Sequence, residues 1–280
     1  MNILISVGAL AQQLSANRPR LLDVRWTVTA PDGRAAHRDG HIPGAVYVDL
    51  DAELSDHSVT GRGRHPLPSP QALQHSARQW GLNPGDPVVV YDDWSGQAAS
   101  RAWWLLRAAS VADVRILDGG WSAWRRAGLP VESGDVRPEL GTLVIGDLGS
   151  LVAVDADSVA AQADSDGHLV LDARAAARYR GDEEPFDPRA GHIPGAVSAP
   201  TADNLAGDGT FRPATDLRAR FTALGAGRSP VTVYCGSGVT ATHEIAALAI
   251  AGYDAALYPG SWSEWSNDPG RAVATGSDRR

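Results

Sequence analysis

The stretch Val231-Thr232-Val233-Tyr234-Cys235-Gly236-Ser237-Gly238-Val239-Thr240-Ala241 has the pattern of a strand, a glycine-rich loop and the start of a helix. The β-branched residues 231–233 predict a buried strand, and the apolar segment from Ala241 to Ile250, followed by Gly252, predicts a helix. Cys235, the only cysteine of the chain, begins the loop between them. Two glycines let the loop curl so that backbone N–H groups point inward, and the helix N-terminus adds partial positive charge. Both effects favour the thiolate and therefore predict a nucleophilic cysteine.

The alternative role for Cys235 is structural. A lone cysteine is more often a small buried apolar residue than a catalyst. The two glycines that follow Cys235 weigh against that alternative, because a cysteine that only fills a core needs no glycine-rich loop around it.

The composition predicts a soluble globular protein with two domains. The chain has 280 residues, of which 43% are hydrophobic, and a net charge of −8. The negative charge argues against a nucleic acid or an anionic membrane as partner. A single cysteine excludes an internal disulfide and fits a reduced, cytoplasmic setting, and no stretch approaches the roughly 20 apolar residues that span a bilayer. All 25 basic residues are arginine, so lysine chemistry such as a Schiff base or a Walker A loop is excluded.

The chain contains an internal duplication. The motif Gly-His-Ile-Pro-Gly-Ala-Val at 40–46 recurs letter for letter at 191–197. Three further pairs of similar segments occur in the same order along the two halves: 21–25 with 170–174, 88–92 with 231–235, and 121–124 with 262–265. A repeat of this length indicates duplicated domains, predicted at 1–134 and 153–280 with a linker at 135–152.

Each half alternates short apolar strands with helical segments, which predicts an α/β fold with mostly parallel sheets covered by helices on both faces. Ligands bind beyond the carboxyl ends of the strands in such sheets, and Cys235 lies at that end of its strand. The first half has Asp92 at the equivalent position, which predicts an inactive copy. The predicted strands are 21–25, 45–48, 88–91, 114–117, 169–172, 231–234 and 255–258, and the predicted helices are 7–14, 70–80, 97–109, 157–162, 216–224 and 241–250.

The doubled Gly-His-Ile-Pro-Gly-Ala motif, Asp-Gly-Gly-Trp-Ser-Ala-Trp at 118–124 and Gly-Ser-Trp-Ser-Glu-Trp at 260–265 together resemble signatures of the two-domain rhodanese-like sulfurtransferases. The loop at 235–240 is similar to the 3-mercaptopyruvate version, because Gly236 and Ser237 stand where the thiosulfate version usually carries basic residues. A neutral loop suits a donor with one remote carboxylate better than dianionic thiosulfate. The resemblance implies a persulfide on Cys235, which then passes sulfur to thioredoxin, a small thiol or cyanide, and it implies no metal or organic cofactor.

The resemblance also assigns roles to other residues. Ser237 matches the loop serine, His65 a histidine supplied by the first domain, and Asp51 its aspartate partner, so that the three would form a proton relay. The alternatives are a helix-capping serine, an exposed loop histidine and a turn aspartate. Gly236, Gly238, Val239 and Thr240 would bind substrate through the loop.

Arg178 matches the arginine that binds the substrate anion, with a surface ion pair to Asp182 or Glu183 as the alternative. Arg189 is nearest by motif to the second arginine of the family, and Arg180 is the other candidate. His41 and His192 occur in both copies, so we expect them to be structural. Trp121, Trp124, Trp262 and Trp265 are expected to be core residues.

Three other functions compete with sulfur transfer. A cysteine phosphatase of similar fold needs an arginine after five intervening residues, but Ala241 stands there. The segment 236–241 also fits the G-x-G-x-x-A dinucleotide pattern, yet the next predicted strand ends near Tyr258 without the acidic residue that this pattern requires. A non-catalytic sulfur carrier or binding module is the alternative to an enzyme, but a non-catalytic version is expected to have lost its cysteine, as the first half has.

Overall fold

The computed structural model of the chain describes residues 2–16, 19–149 and 152–279. The chain divides into two compact units, neither of which is continuous in sequence. The first unit contains Met1–Asp56, Leu67–Leu151 and Gly207–Phe211, and the second contains His57–Pro66, Val152–Ala206 and Arg212–Arg280. Residues 57–66 come from the first half of the sequence but group with the second unit, which matters for the site described below.

The first unit is built on a five-stranded sheet in which every pairing is parallel, with the order β1-β5-β4-β2-β3. Its elements in chain order are β1 (Leu4–Ile5), α1 (Val7–Ala16), β2 (Arg20–Asp23), α2 (Arg34–Asp39), β3 (Val46–Tyr47), α3 (Leu50–Glu53), α4 (Pro70–Gln79), β4 (Val88–Tyr91), α5 (Ala99–Ala108), β5 (Val114–Leu117) and α6 (Gly120–Arg126).

Helix α4 and strand β4 illustrate how the local sequence specifies these elements. Helix α4 begins after Ser69, whose Oγ accepts from the Ala72 N–H at 3.1 Å, and Pro70 occupies the first turn, where a missing N–H costs nothing. Every residue of β4 is buried, as expected for a β-branched run inside a parallel sheet. The predicted linker continues along this unit, since the Leu143 N–H donates to the Leu82 carbonyl at 3.0 Å.

The second unit repeats the design with a four-stranded parallel sheet of order β7-β6-β8-β9. Strand β8 is an interior strand, so its carboxyl end opens at the middle of one sheet edge. The elements are α7 (Ala156–Ala163), β6 (Leu169–Asp172), α8 (Ala176–Arg180), β7 (Val197–Ser198), a 3₁₀ turn (Thr201–Asn204), α9 (Ala214–Leu224), β8 (Val231–Tyr234), α10 (Thr240–Ile250), β9 (Ala255–Leu257) and α11 (Ser261–Trp265).

Each unit contains the same internal ion pair at its duplicated motif. In the first, Arg25 pairs with Asp23 and donates through Nη2 to the Gly40 carbonyl at 2.7 Å. In the second, Arg174 pairs with Asp172 and makes the same 2.7 Å bond to the Gly191 carbonyl. The duplicated Asp-x-Arg therefore anchors the start of each Gly-His-Ile-Pro-Gly motif to a buried ion pair.

The histidines of the duplicated motif are buried in both units. His41 Nδ1 bonds to the His37 carbonyl and His192 Nδ1 to the Tyr179 carbonyl, at 2.9 and 2.8 Å. The expected structural role of both histidines agrees with these contacts. The four repeated tryptophans are also buried and belong to the two hydrophobic cores: Trp121, Trp124, Trp262 and Trp265.

The predicted α/β class with parallel sheets is confirmed. The strands expected at 88–91, 114–117, 169–172 and 231–234 have those bounds in the structure. The sequence did not predict the short helices α2 and α3, because six and four residues are too few to show a helical period. Within the described parts of the chain, no helix combines the length and apolar character needed to cross a membrane.

Candidate functional site

The loop after β8 is held in place by the segment that begins α11. The Cys235 N–H donates to Ser261 Oγ at 3.1 Å, and the Trp262 N–H donates to the Cys235 carbonyl at 3.0 Å. The Ser263 N–H donates to the Gly236 carbonyl at 2.8 Å. These three hydrogen bonds fix the backbone of the cysteine beyond the end of its strand.

The sulfur of Cys235 receives a hydrogen bond from its own loop. The Gly238 N–H donates to Cys235 Sγ at 3.2 Å, and a donor at this position stabilises negative charge on sulfur. Gly238 has φ +77°, and a Cβ there would collide with the Pro259 carbonyl oxygen, so only glycine fits. Cys235 is 1% exposed, and the sulfur therefore depends on the loop rather than on water for its polar contacts.

Ser237 Oγ lies 2.8 Å from His65 Nδ1, within hydrogen-bond distance, and both residues are buried. His65 reaches the loop because residues 57–66 pack on the second unit. The Arg64 N–H donates to Ser263 Oγ at 3.0 Å, and a Cβ on Gly63 would lie 2.5 Å from the Gly260 carbonyl oxygen. This close approach requires glycine at 63 and sets the position of the histidine.

Two guanidinium groups face the backbone of Gly236. A Cβ at this position would lie 3.3 Å from Arg64 Nη2 and 3.4 Å from Arg178 Nη1. Arg178 comes from the predicted substrate-binding motif in α8, whereas Arg64 precedes His65 in the 57–66 segment. Because position 236 is glycine, two arginine side chains from other segments can approach a loop that has no charged residue of its own.

Acidic residues hold both guanidinium groups. Arg178 Nη2 donates to Glu184 at 2.6 Å and lies 3.5 Å from Asp187, and Arg64 Nη1 pairs with the same Asp187. The side chains of Glu184 and Asp187 are 3% and 1% exposed, so these are buried ion pairs and not the surface pair with Asp182 or Glu183 that was the alternative for Arg178. Burial raises the pKa of Asp187, although the Arg64 guanidinium opposes that rise.

Arg189, the second arginine expected from the motif, has a different environment. Its guanidinium donates to four backbone carbonyls, those of Trp265, Ser266, Asp268 and Arg271. These bonds tie together the chain after α11, which is a structural role, and they engage Nε, Nη1 and Nη2. Arg180, the other candidate, pairs with the exposed Asp182 at 2.7 Å. Arg64 instead supplies the second guanidinium at Gly236.

The remaining predicted residues lie as follows. Val239 precedes α10 and its carbonyl accepts from Thr242 Oγ1 at 2.6 Å, while Thr240 begins that helix. Asp51 belongs to the first unit, where its carboxylate accepts from Trp26 Nε1 at 3.2 Å. The pairing of Asp51 with His65 stays a prediction.

In the first unit, Asp92 occupies the position that Cys235 occupies in the second unit. Its carboxylate accepts hydrogen bonds at 2.8–2.9 Å from four backbone N–H groups, those of Trp94, Gly96, Ala98 and Ala99. The Trp121 N–H donates to the Asp92 carbonyl, as the Trp262 N–H does to Cys235. Full burial nevertheless raises the pKa of Asp92 to about 6. The loop of the first unit thus surrounds a fixed carboxylate with amides.

Sequence reasoning missed Arg64, Glu184 and Asp187. The only available signal was adjacency, since Arg64 precedes His65 and Asp187 lies two residues before Arg189. Neither spacing indicates that the three side chains meet near Gly236.

Comparison with known proteins agrees with the duplicated architecture. The family model for the rhodanese-like domain matches twice, at residues 6–127 and 155–268. The putative thiosulfate sulfurtransferase SseB of Mycobacterium tuberculosis is 50% identical over 279 residues, which cover 98% of each chain. The probable 3-mercaptopyruvate sulfurtransferase of Pseudomonas aeruginosa is 45% identical, again over 98% of each chain.

A solved structure with the rhodanese fold also matches this chain. The crystal structure of SseA from Escherichia coli, described with the rhodanese fold and a 3-mercaptopyruvate sulfotransferase mechanism, superposes with a TM-score of 0.82 at 32% identity. The match covers 94% of this chain and 100% of SseA. The chain therefore belongs to the two-domain rhodanese-like sulfurtransferases.

Proposed function

We propose that the chain transfers a sulfane sulfur from 3-mercaptopyruvate, through a persulfide on Cys235, to a thiol or to cyanide. The observation that carries this proposal is the surroundings of the only cysteine. Its sulfur accepts from Gly238, the loop serine lies against His65, and two guanidinium groups face Gly236. A nucleophile, a proton-carrying pair and an anion-binding edge are the three parts that this reaction needs.

In the first step, the Cys235 thiolate attacks the donor sulfur and the carbon–sulfur bond breaks. The bonding electrons go to the methylene carbon, which becomes the enolate of pyruvate and then takes the proton that the donor thiol has lost. The sum is thiolate plus mercaptopyruvate giving persulfide anion plus pyruvate, so atoms and charge balance. Ser237 and His65 are the proposed path for that proton, and Asp51 the proposed partner of His65.

The arginine pair would bind the donor's carboxylate, which lies two carbons from the reacting sulfur. Arg178 offers Nη1 toward Gly236 while its other nitrogens bind Glu184, so its fork is held in one orientation. The backbone of Gly236, Gly238, Val239 and Thr240 is the proposed contact surface for the donor and for the persulfide anion. Fixed dipoles of this kind stabilise charge without reorganisation during the reaction.

In the second step, an acceptor thiolate or cyanide attacks the outer sulfur and regenerates the Cys235 thiolate. Thioredoxin or a small thiol is the proposed acceptor, which fits a reducing compartment such as the cytoplasm. A solvent-shielded cysteine would protect the persulfide from other thiols between the two steps.

Thiosulfate is the second candidate donor, because the Mycobacterium tuberculosis relative is named for it and the Pseudomonas aeruginosa relative is named for mercaptopyruvate. Side-by-side kinetics with both donors and cyanide as acceptor test the assignment. We expect the higher kcat/KM with mercaptopyruvate. A higher value with thiosulfate would overturn the assignment of the donor, and absence of turnover with both donors would overturn the proposed activity itself.

A further inference from the structure

The loop after Cys235 has no charged side chain of its own, but charged side chains surround it. The two guanidinium groups at Gly236 come from segments that lie far apart in sequence, at Arg64 and Arg178. They bring positive charge close to the position where a basic loop residue would stand. The neutral loop alone therefore does not determine which anion the site prefers, because the charges around the two arginines also act on that anion.

Each guanidinium divides its nitrogens between an acid and the loop. Arg64 binds Asp187 through Nη1 and points Nη2 toward Gly236. Arg178 binds Glu184 and Asp187 through Nη2 and points Nη1 toward Gly236. Within the described residues, Arg64 Nη2 and Arg178 Nη1 take part in no hydrogen bond of the chain, so both remain available to a ligand.

Asp187 is the residue that joins the two arginines. One of its carboxylate oxygens pairs with Arg64 and the other with Arg178, and its side chain is 1% exposed. Glu184 also contacts Arg174, but that arginine is already paired with Asp172. The two positive charges of Arg64 and Arg178 are therefore matched by the two negative charges of Asp187 and Glu184.

A group with equal positive and negative charge attracts a monoanion and a dianion to different extents. A carboxylate gains the two close N–H donors and meets little net repulsion. A dianion gains the same donors, but its second charge is repelled by the buried Asp187 and Glu184, which solvent does not screen. Given the proposed sulfur transfer, we propose that Asp187 is a specificity-determining residue that positions Arg64 against Arg178 and sets the charge of this subsite to favour a monoanionic donor.

Asp187→Asn tests this role because it keeps the shape and removes one charge. The ratio of kcat/KM for thiosulfate to kcat/KM for mercaptopyruvate should rise about tenfold, as one unit charge a few ångströms away predicts. Asp182→Asn is the matched control, since it removes the same charge from an exposed position in the same loop, where Asp182 pairs with Arg180. The control should leave the ratio unchanged.

Arg64→Gln is a second variant, and it should change the ratio of the two kcat/KM values in the opposite direction. Arg64 is one-third exposed, so its removal disturbs folding less than a change at Asp187, and the site loses a positive charge. The same ratio should then fall. Thermal unfolding of each variant reports whether the fold is retained.

A binding measurement separates this role from the activity. Pyruvate and sulfate serve as monoanionic and dianionic probes in calorimetric titrations, which need no turnover. Asp187→Asn should strengthen sulfate binding relative to pyruvate binding by about tenfold. Equal changes for both probes and both donors, in a folded Asp187→Asn protein, would overturn the proposed role and leave Asp187 with a structural one. Absence of turnover with all donors in the wild type would count against the sulfur transfer alone.

Discussion

Ser237 Oγ and His65 Nδ1 lie 2.8 Å apart, although 172 residues separate them in the chain. Ser237 stands two residues after Cys235, and His65 directly follows Arg64. A hydroxyl and an imidazole at this distance can pass a proton between a donor thiol and the pyruvate carbon, which is their proposed role.

Ser237→Ala and His65→Gln should each lower kcat with mercaptopyruvate by about a hundredfold, the usual contribution of a positioned acid or base. Thiosulfate brings no thiol proton, so its turnover should change much less and serves as the internal control. The double variant should be no slower than the worse single variant, since the two groups act as a unit. Equal losses with both donors would contradict a role in proton transfer.

Arg178→Lys should raise the KM for mercaptopyruvate about tenfold with a smaller effect on kcat. The variant keeps the charge but loses the fork that binds Glu184 and faces Gly236 at the same time. Arg180→Lys is the matched control in the same helix, because Arg180 pairs with the exposed Asp182. Steady-state kinetics check both, and an unchanged KM in Arg178→Lys would remove this arginine from the site.

Gly238→Ala should destabilise the protein and also slow sulfur transfer. The positive φ of +77° costs about 1–2 kcal/mol for a residue with a Cβ, and the collision with the Pro259 carbonyl adds about 1–3 kcal/mol. Gly276→Ala is the matched control, because Gly276 has φ +88° but no atom lies within 4 Å of the place that an alanine methyl would take. Urea denaturation should show the larger loss for Gly238→Ala, and equal losses would show that the collision is unimportant.

Asp92 should make the stability of the protein depend on pH. Burial raises its pKa from the ordinary 3.8 to about 6, so the folded protein keeps the proton to a higher pH than the unfolded chain does. The stability that this proton contributes is complete below pH 3.8 and is lost as the pH rises through about 6. The rise of the pKa from 3.8 to about 6 corresponds to about 3 kcal/mol in the free energy of unfolding.

Asn at position 92 stays uncharged, so the free energy of unfolding of the wild type relative to Asp92→Asn should fall by about 3 kcal/mol over that pH range. Denaturant titrations at several pH values measure this difference. Asp93→Asn, at an exposed neighbouring position, is the control and should show no such trend. A difference between wild type and Asp92→Asn that is the same at every pH would contradict the raised pKa.

Much of the fold could be predicted because the strands are short, mostly buried and rich in apolar residues. Strands β4, β5, β6 and β8 have the predicted bounds, and the position of Cys235 at the carboxyl end of β8 follows from them. The duplication could be predicted because the Gly-His-Ile-Pro-Gly-Ala-Val motif recurs letter for letter. In both units the first carbonyl of this motif accepts a hydrogen bond from the arginine of a buried ion pair.

The second arginine could not be predicted, because its position depends on packing between distant segments. Motif spacing favoured Arg189, but that guanidinium is taken up by four carbonyls after α11. Arg64 lies near Gly236 because residues 57–66 belong to the first half of the sequence but group with the second unit. No local pattern around Arg64 indicates that path.

The proposed mechanism requires sulfur to reach Cys235. Intact-protein mass spectrometry after incubation with mercaptopyruvate, without acceptor, measures this, and peptide mapping locates the change. We expect the mass to increase by one sulfur atom at Cys235, to return to its original value on addition of cyanide, and not to increase in Cys235→Ser. An unchanged mass in the wild type, or an equal gain in Cys235→Ser, would contradict the persulfide mechanism.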